Sequence, residues 1–384
     1  MDNLLKNPPT LKELGYALVE IEVNNQCNMA CSFCPLPIRD ADDASLELSQ
    51  IERVLDQIAE DKSVDLVAFH QYNEPLLYPE IWQCLDMAKE RGLKTLIVTN
   101  GATLTKRNVE LLQKHAPTYL RISAQVIKEE NHDATRGYKG KFSTYVDNLA
   151  KTLATMADNS CDIEDIQMDL AVQDPVKNWR RKLSTLLRMT DRGDPTIFDE
   201  NPDTLKPSLK GLLEKVDEYS STFTYDEAVH DQNIAHYNNE PNQAFELAYR
   251  VSDKVTISFK QFVNGRRIMN YYPVKYGKCG NWNLGILADG RVVMCCYDYD
   301  GFTAMGNIKD EPMESIMSRS QDDIRQLRAG GKFKHIGCAK CMGSPTRHGA
   351  YLRTILNFFR FAAFSKNTES QAAGAYHTYT EPKE

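Results

Sequence analysis

Three cysteines lie within eight residues near the start of the chain, in the segment QCNMACSFCPLP. Their spacing is C-x3-C-x2-C, which places Cys27, Cys31 and Cys34 on one short loop. A four-iron iron–sulfur cluster takes one thiolate for each iron, so three thiolates leave one iron without a protein ligand. An open coordination position distinguishes a reactive metal site from a structural one. A zinc site whose fourth ligand lies far along the chain would use the same three thiolates.

A second group of cysteines lies late in the chain and ends in a C-x2-C pair. Its members are Cys279, Cys295, Cys296, Cys338 and Cys341. The segment LGILADGRVVMCC predicts two strands joined by a tight turn at 289–290. A hairpin that is closed by a C-x2-C loop can bring four thiolates to one point. The pattern therefore predicts a second metal site, with zinc as the alternative to an iron–sulfur cluster.

Alternating strands and helices must position the first cysteine loop. Apolar alternation predicts strands over 17–23, 64–70, 94–101, 118–127, 165–173 and 255–262, and helical spacing predicts helices over 48–61, 78–92, 105–116 and 142–157. Repeated strand–helix units predict an α/β fold with a parallel sheet, as a barrel or an open sheet. Ligands of such sheets bind beyond the carboxyl ends of the strands, and the cysteine loop follows the first strand directly.

Composition narrows the class of protein. The chain has 384 residues and a net charge of −7, which gives no basic footprint for nucleic acid. No secretory signal and no apolar run of about 18 residues is present, so we expect a cytoplasmic protein. Disulfides are uncommon in that compartment, and the 10 cysteines are therefore expected to include metal ligands.

Two segments stand apart from the alternating pattern. Residues 191–232 hold eleven Asp or Glu against four Lys or Arg, which indicates either a solvated insertion or a lid or docking surface for a basic substrate. The segment YLRTILNFFRFAAF (351–364) places Arg353, Asn357 and Arg360 on one helical face. That pattern fits a helix docked on the core or a peripheral anchor on a membrane surface. The residues after it are expected to form a disordered tail.

The first motif, with Phe33 before its last cysteine and a position after the first strand, resembles the radical S-adenosylmethionine (radical SAM) enzymes. The resemblance implies a partial (βα)6-type barrel whose 4Fe-4S cluster is held by Cys27, Cys31 and Cys34. S-Adenosyl-L-methionine would occupy the open iron, and its reductive cleavage would form a 5′-deoxyadenosyl radical that abstracts hydrogen from the substrate. A reducing partner such as flavodoxin or ferredoxin is implied as well.

Further residues carry the resemblance at the ends of the next strands. YNEPLL (72–77) matches the family's Gly-Gly-Glu-Pro segment at Glu74 and Pro75, with Tyr72 and Asn73 in place of the glycines. The match implies that Glu74 accepts a hydrogen bond from the methionine amino group. Asn100 of VTNG, Ser123 of RIS and Arg136 of ATRGYKGKF match the family's other cofactor-binding positions. Hydroxyls at strand ends can instead cap backbone groups.

The second cysteine group, the run CCYDYDGFTAMGNI and the helix after it resemble the auxiliary-cluster extension of the SPASM and twitch types. No cysteine follows Cys341, so the resemblance implies one auxiliary 4Fe-4S cluster. Its ligands would be Cys279, Cys295, Cys338 and Cys341. Spacing from the turn favours Cys295 over Cys296.

Four domains are expected from these patterns. They are an N-terminal segment (1–16), the radical SAM partial barrel (17–270) with the acidic helical insertion at about 174–250, a hairpin-plus-helix auxiliary domain (271–346), and a C-terminal amphipathic helix with a disordered tail (347–384).

The expected function is oxidative modification of a peptide or a small natural-product intermediate, with the auxiliary cluster as the electron acceptor. Dehydrogenation of an aminocyclitol or sugar is the alternative within the enzyme class, and a zinc-binding or redox-sensing protein is the alternative outside it. No leader-peptide-binding domain is expected before residue 17, which weakens the peptide interpretation. The residues that choose the hydrogen are not predicted, and the strand-end candidates are Gln125, Asp169, Lys260 and Gln261.

Overall fold

A computed structural model describes residues 8–39, 41–159, 161–172, 202–239, 247–261, 265–266 and 270–363. Part of the acidic insertion, 174–201, and the tail from 364 onward lie outside the described residues, so the expectations for those segments stay predictions.

A ten-stranded sheet forms the centre of the fold. Its strands are β1 (Leu18–Ile21), β2 (Leu66–Ala68), β3 (Lys94–Thr99), β4 (Tyr119–Gln125), β5 (Asp165–Val172), β6 (Leu247–Arg250), β7 (Val255–Gln261), β9 (Asn283–Ile286), β10 (Arg291–Val293) and β11 (Ala304–Asn307), and β8 (Tyr276–Gly277) pairs separately with β12 (Gly331–Lys332). The order is β11-β10-β9-β1-β2-β3-β4-β5-β7-β6. Six neighbouring strands, β1 to β5 and β7, are parallel, which confirms the α/β prediction. The outer strands β11 and β6 are not paired with each other in the described ranges.

Helices cover one face of this sheet. They are α1 (Leu48–Asp61), α2 (Ile81–Glu90), α3 (Lys106–His115), α4 (Glu129–Arg136) and α5 (Phe142–Asp158). In α1, Ile51, Val54, Leu55 and Ile58 are buried, as expected for an amphipathic helix on a sheet. Strand residues of the same face, such as Ile97, join that core.

The opposite face of the sheet has a different character. Side chains alternate along a strand, so every second residue points away from the helices. Near the amino ends of the strands these residues form a small apolar cluster of Leu18, Leu66, Ala68, Leu96 and Tyr119. Toward the carboxyl ends they become polar, with Ser123, Asp169 and Lys260 among them. The fold therefore presents a polar inner surface beside the first cysteine loop.

The hairpin of the C-terminal extension continues the main sheet, whereas β8 and β12 of the same extension form a small separate sheet. Strand β9 pairs in parallel with β1, and β10 folds back antiparallel to β9, as the hairpin prediction required. Gly290 has φ of +91° in the turn, a conformation that favours glycine. The helix α8 (Met313–Ala329) packs toward α1, because the Met313 amide donates to Gln57 Oε1 at 2.6 Å.

The described part of the acidic insertion consists of α6 (Pro202–Tyr219) and α7 (Glu227–Asn239), which precede β6. Helix α6 packs on α5, and Tyr219 donates a hydrogen bond to Asp147 at 2.5 Å. Two more helices follow, α9 (Ile336–Cys341) and α10 (Arg347–Phe358), and a π-helical turn (Phe359–Ala363) ends the described part of the chain. Within those ranges no helix is long and apolar enough to cross a membrane.

Candidate cluster and cofactor site

The first cysteine loop docks on the end of α4. The Ala30 amide donates to the Arg136 carbonyl at 3.1 Å, and the Ser32 amide donates to the Thr135 carbonyl at 2.8 Å. Gly137 follows with φ of +56°, and a Cβ there would lie 2.8 Å from the Ala30 oxygen. A larger residue would push the loop away, so this glycine permits the close approach.

Two arginines hold the rest of the loop. The Arg266 guanidinium donates to the Cys34 carbonyl at 2.8 Å and to the Cys31 carbonyl at 3.2 Å. Arg39 forms a buried ion pair with Glu22 at 2.9 Å, which ties the end of the loop back to the chain after β1. Sequence reasoning missed both arginines, because no local spacing links them to the cysteines.

The structure brings the three predicted thiols together. Burial raises the pKa of Cys27 and Cys31, and raises that of Cys34 to about 12. The charges of Cys27 and Cys31 also raise the pKa of Cys34, so the three sulfurs lie within electrostatic range of one another. Three thiolates there would require a compensating cation, which the iron of a bound cluster would supply.

Glu74 lies at the end of β2 and is completely buried. Its Oε1 accepts hydrogen bonds from the Thr99 hydroxyl at 2.8 Å, the Thr103 hydroxyl at 3.0 Å and the Leu76 amide at 3.3 Å. Its Oε2 accepts one, from the Asn100 amide at 2.7 Å. Burial raises its pKa against the effect of these donors. The less occupied Oε2 is the atom that has capacity for a further donor.

Asn100 and Arg136 connect β3, β4 and the cysteine loop. The Asn100 side chain donates to the Cys27 sulfur at 3.4 Å. The Arg136 guanidinium donates to the carbonyls of Asn100 at 3.3 Å and Ser123 at 3.0 Å, and to Gln125 Oε1 at 2.6 Å. Gln125 has φ of +56° where the β4–β5 register shifts. All four predicted cofactor-binding residues therefore belong to one network, although their cofactor contacts stay predictions.

The environment of Arg136 fits an anionic ligand. Its side chain is almost fully buried, and its Nε is a buried donor without an acceptor. Among the described residues it has no carboxylate partner. An unpaired buried cation is costly, and a bound carboxylate would offset that cost. The carboxylate of S-adenosylmethionine would meet this requirement.

The segment 70–74, where the family carries glycines, connects the two cysteine groups. The Glu74 amide donates to the Gln26 carbonyl at 2.8 Å, and Gln71 Nε2 donates to the Cys296 carbonyl at 3.0 Å. Neither Tyr72 nor Asn73 has a positive φ, so the backbone does not require glycine at either position. The replacement of the glycines is therefore compatible with the local geometry.

Tyr72 itself lies between the groups. Its ring packs edge-on against Tyr299 with centroids 5.4 Å apart. Burial raises its pKa well above the ordinary value, and the charges of Cys296, Cys295 and Cys34 contribute to the increase. A single half-buried side chain is thus within electrostatic range of both cysteine groups.

Cys338 and Cys295 each lie within electrostatic range of both Cys279 and Cys341, and this set is called the ring of four thiols. Burial raises the pKa of Cys338 to about 12, with further contributions from Cys279 and Cys341. The charges of Cys279 and Cys341 also act on Cys295. These are the four predicted auxiliary ligands, and a set of four neighbouring thiolates matches a four-iron cluster.

Cys296 interacts with one member of that ring, Cys295, and otherwise contacts polar side chains outside it. A hydrogen bond with Cys295 and burial raise its pKa well above the ordinary value. Its sulfur accepts from the side-chain amides of Asn281 at 3.4 Å and Asn283 at 3.7 Å. Asn283 also donates to the buried Glu20 carboxylate at 2.5 Å. This environment supports Cys295 as the ligand.

No disulfide joins any of the ten cysteines, all of which lie in the described ranges. No three His, Cys, Asp or Glu side chains in the described ranges are placed as ligands of a single metal ion. Cluster thiolates bind separate irons, so this finding concerns single-ion sites only.

Two family descriptions match this chain. The Radical SAM superfamily matches residues 21–162, and this segment contains the first cysteine motif. The SPASM description, an iron–sulfur cluster-binding domain, matches residues 279–342 and contains the second. This chain is a radical SAM enzyme with a C-terminal SPASM domain. The radical SAM domain implies a 4Fe-4S cluster and S-adenosylmethionine. The SPASM domain implies auxiliary iron–sulfur cluster binding, which agrees with the prediction made for the second cysteine group.

Three relatives show what the radical SAM chain resembles. The antilisterial bacteriocin subtilosin biosynthesis protein AlbA of Bacillus subtilis is 26% identical over 341 residues, which cover 87% of this chain and 67% of AlbA. The S-adenosyl-L-methionine-dependent 2-deoxy-scyllo-inosamine dehydrogenase of Niallia circulans is 27% identical over 35% of this chain and 51% of its own length. A PqqA peptide cyclase of Granulibacter bethesdensis is 27% identical over 31% of this chain and 32% of its own length. The matches thus span from about a third to two thirds of these relatives.

Proposed function

We propose that this radical SAM enzyme oxidises a peptide substrate. When bound, the first cluster and S-adenosylmethionine supply a radical that removes a hydrogen atom, and the auxiliary cluster supplies an acceptor for the electron that remains. The observation that carries the proposal is the position of the half-buried Tyr72 ring, which packs on Tyr299 between the two cysteine groups. Two clusters held by these groups would lie on either side of this ring, an arrangement suited to a reaction that uses both. A reducing partner such as flavodoxin or ferredoxin would provide the first electron.

The chain's own residues would bind and orient the substrate. Arg136 and Glu74 would hold the charged methionine end of S-adenosylmethionine, because one presents buried donors and the other a buried acceptor. The inner surface of the sheet continues from Ser123 to Asp169, whose Oδ2 accepts from Lys260 at 2.6 Å. Both partners of that pair are largely buried, with 26% of the Lys260 and 13% of the Asp169 side chain exposed. We assign this pair to the wall of the substrate cavity.

Peptide is the substrate class that the relatives support best. AlbA, which is named for bacteriocin biosynthesis, aligns over most of this chain. The aligned PqqA enzymes are named peptide cyclases. The acidic insertion offers a surface for a basic peptide, since its described part contains α6 and α7 with an excess of Asp and Glu.

An aminocyclitol or sugar is the second candidate substrate. The relative from Niallia circulans is named a dehydrogenase of 2-deoxy-scyllo-inosamine, and its match includes about a third of this chain. Removal of one hydrogen atom, one electron and one proton from an alcohol would form a ketone, which is the same net oxidation.

The experiment compares the two classes with one reconstituted enzyme. Anaerobic protein with S-adenosylmethionine and dithionite is incubated either with peptides encoded beside its gene or with 2-deoxy-scyllo-inosamine. We expect 5′-deoxyadenosine and a peptide product lighter by two hydrogens. A ketone product from the aminocyclitol with unchanged peptides would overturn the peptide assignment. Peptide turnover without a change of oxidation state would overturn the net oxidation.

A further inference from the structure

The C-terminal helix α10 is attached to the protein through its polar side. The Arg353 guanidinium donates to the carbonyls of Met342 at 3.0 Å and Gly343 at 2.6 Å. One turn further on, the Asn357 side chain donates to the Tyr276 carbonyl at 2.7 Å. Of the helix residues, only two small ones, Gly349 and Ala350, are buried. The sequence predicted that Arg353 and Asn357 share a face, and that face is turned inward.

The apolar side of α10 is consequently turned outward. Tyr351 is 67% exposed and Leu356 is 58% exposed, and Ile355 and Phe358 on the same side are each about two fifths exposed. Residues 351, 355 and 358 follow the i, i+4, i+7 spacing of one helical stripe. An amphipathic helix normally buries such a stripe, and four large exposed side chains on three turns indicate a surface that has a partner.

The charge of the segment restricts that partner. From 347 to 366 the chain has Arg347, Arg353, Arg360 and Lys366 and no Asp or Glu, in a protein whose net charge is −7. Arg347 and Arg360 are both exposed, Arg347 at the first residue of the helix and Arg360 two residues after its last. A symmetric pairing of two copies through this helix would bring the arginines of both copies together, which is unfavourable. A negatively charged apolar surface would complement it.

We propose that α10 binds the surface of an anionic lipid bilayer. Its aromatic and aliphatic side chains would enter the boundary between headgroups and acyl chains, and the exposed arginines at the two ends of the helix would contact the phosphates. The helix would lie in the plane of the surface, because the polar side stays hydrogen-bonded to the SPASM domain. This inference concerns location and does not depend on the substrate.

Vesicle co-sedimentation of the full-length protein tests the proposal. One set of vesicles contains phosphatidylcholine alone, and the other contains equal parts of phosphatidylcholine and phosphatidylglycerol. We expect binding to the anionic set only, with weakening at high salt as the charges are screened. The triple variant Tyr351→Ser, Ile355→Ser, Leu356→Ser should bind at least about tenfold more weakly, because it removes apolar area that enters the lipid.

Two controls separate this result from a loss of folding. Val229→Ser changes an apolar residue of α7 that is 43% exposed and should leave vesicle binding unchanged. Circular dichroism and iron content of the triple variant should equal those of the parent protein. Absence of binding to anionic vesicles, or equal binding of the triple variant, would overturn the proposal. So would a stable dimer in sedimentation velocity that the triple variant abolishes, since the face would then be an interface between copies.

Discussion

The side-chain amide of Asn100 donates a hydrogen bond to the Cys27 sulfur at 3.4 Å. This contact joins the carboxyl end of β3 to the cysteine loop after β1. The backbone of Asn100 at the same time donates to Glu74 and accepts from Arg136. One residue therefore links a predicted cluster ligand to the residues that are predicted to bind S-adenosylmethionine.

The first prediction concerns the two cysteine groups. The triple variant Cys27→Ala, Cys31→Ala, Cys34→Ala should retain about half of the roughly eight irons expected for two four-iron clusters, and should lose all cleavage of S-adenosylmethionine. Iron analysis and detection of 5′-deoxyadenosine measure both effects. Cys161→Ala, outside both groups, should change neither. Full cleavage in the triple variant would show that the first motif is not the reactive site.

The second prediction separates Cys295 from Cys296. Cys295 belongs to the ring of four thiols, whereas Cys296 faces Asn281 and Asn283. Cys295→Ala should therefore lose the auxiliary cluster, and Cys296→Ala should keep it. Iron content and the electron paramagnetic resonance signal of the reduced protein distinguish these outcomes. The reverse result would assign Cys296 as the ligand.

The third prediction concerns the charge of Glu74. Its carboxylate is expected to accept a charge-assisted hydrogen bond from the methionine ammonium, worth roughly 1.5–3 kcal/mol. Glu74→Gln should weaken S-adenosylmethionine binding by about 10- to 150-fold in anaerobic calorimetry. Thr103→Val is the matched control, because it removes one hydrogen bond to Oε1 and leaves the charge. Equal affinity losses in both variants would show that Glu74 only shapes the loop.

The fourth prediction concerns the fork of donors on Arg136. Lysine keeps the charge but cannot reach three acceptors in the same geometry. Arg136→Lys should lower the free energy of unfolding by about 1–3 kcal/mol and weaken S-adenosylmethionine binding. Arg121→Lys is the control, because Arg121 pairs with Asp165 at 2.5 Å at the other end of β4. It should lower stability alone, and a loss of affinity there would contradict the assignment.

The fifth prediction concerns pH. Burial and the neighbouring Arg136 lower the pKa of His132 from 6.5 to about 4. Between these values the unfolded chain binds a proton that the folded chain does not, so stability falls as the pH falls from 6.5 toward 4. One such group changes the free energy of unfolding by about 1.4 kcal/mol per pH unit.

The variant His132→Phe should therefore reduce the pH dependence of the free energy of unfolding by about 1.4 kcal/mol per pH unit between these pKa values, the contribution of one proton. Urea titrations of the cluster-free protein measure this dependence. The ring packs among Tyr138, Phe142 and Tyr145, which suit an apolar replacement. His348→Gln, on the exposed side of α10, should leave the slope unchanged. An unchanged slope in His132→Phe would show that His132 is protonated in the folded protein.

The sequence alone predicted the elements that rest on local patterns. Helix α1 occupies 48–61 as its apolar spacing indicates, and β3 to β5 lie within their predicted segments. The two cysteine groups were also predictable, because ligand spacing on a loop is a local property. Helix α4 was not predicted, because its short segment EENHDATR is polar and carries only a weak apolar period. Strand β6 was not predicted either.

Long-range contacts were decided only by the tertiary structure. No spacing links Arg266 to the carbonyls of Cys31 and Cys34, which lie more than 230 positions earlier in the chain. The pairing of β9 with β1, the ring of four thiols and the position of Tyr72 between both groups likewise require the folded sheet. The orientation of α10 was also decided by the tertiary structure, because the helical spacing of its residues predicted a polar and an apolar face but not which one is turned inward. Hydrogen bonds from Arg353 and Asn357 to backbone carbonyls of other segments made that choice.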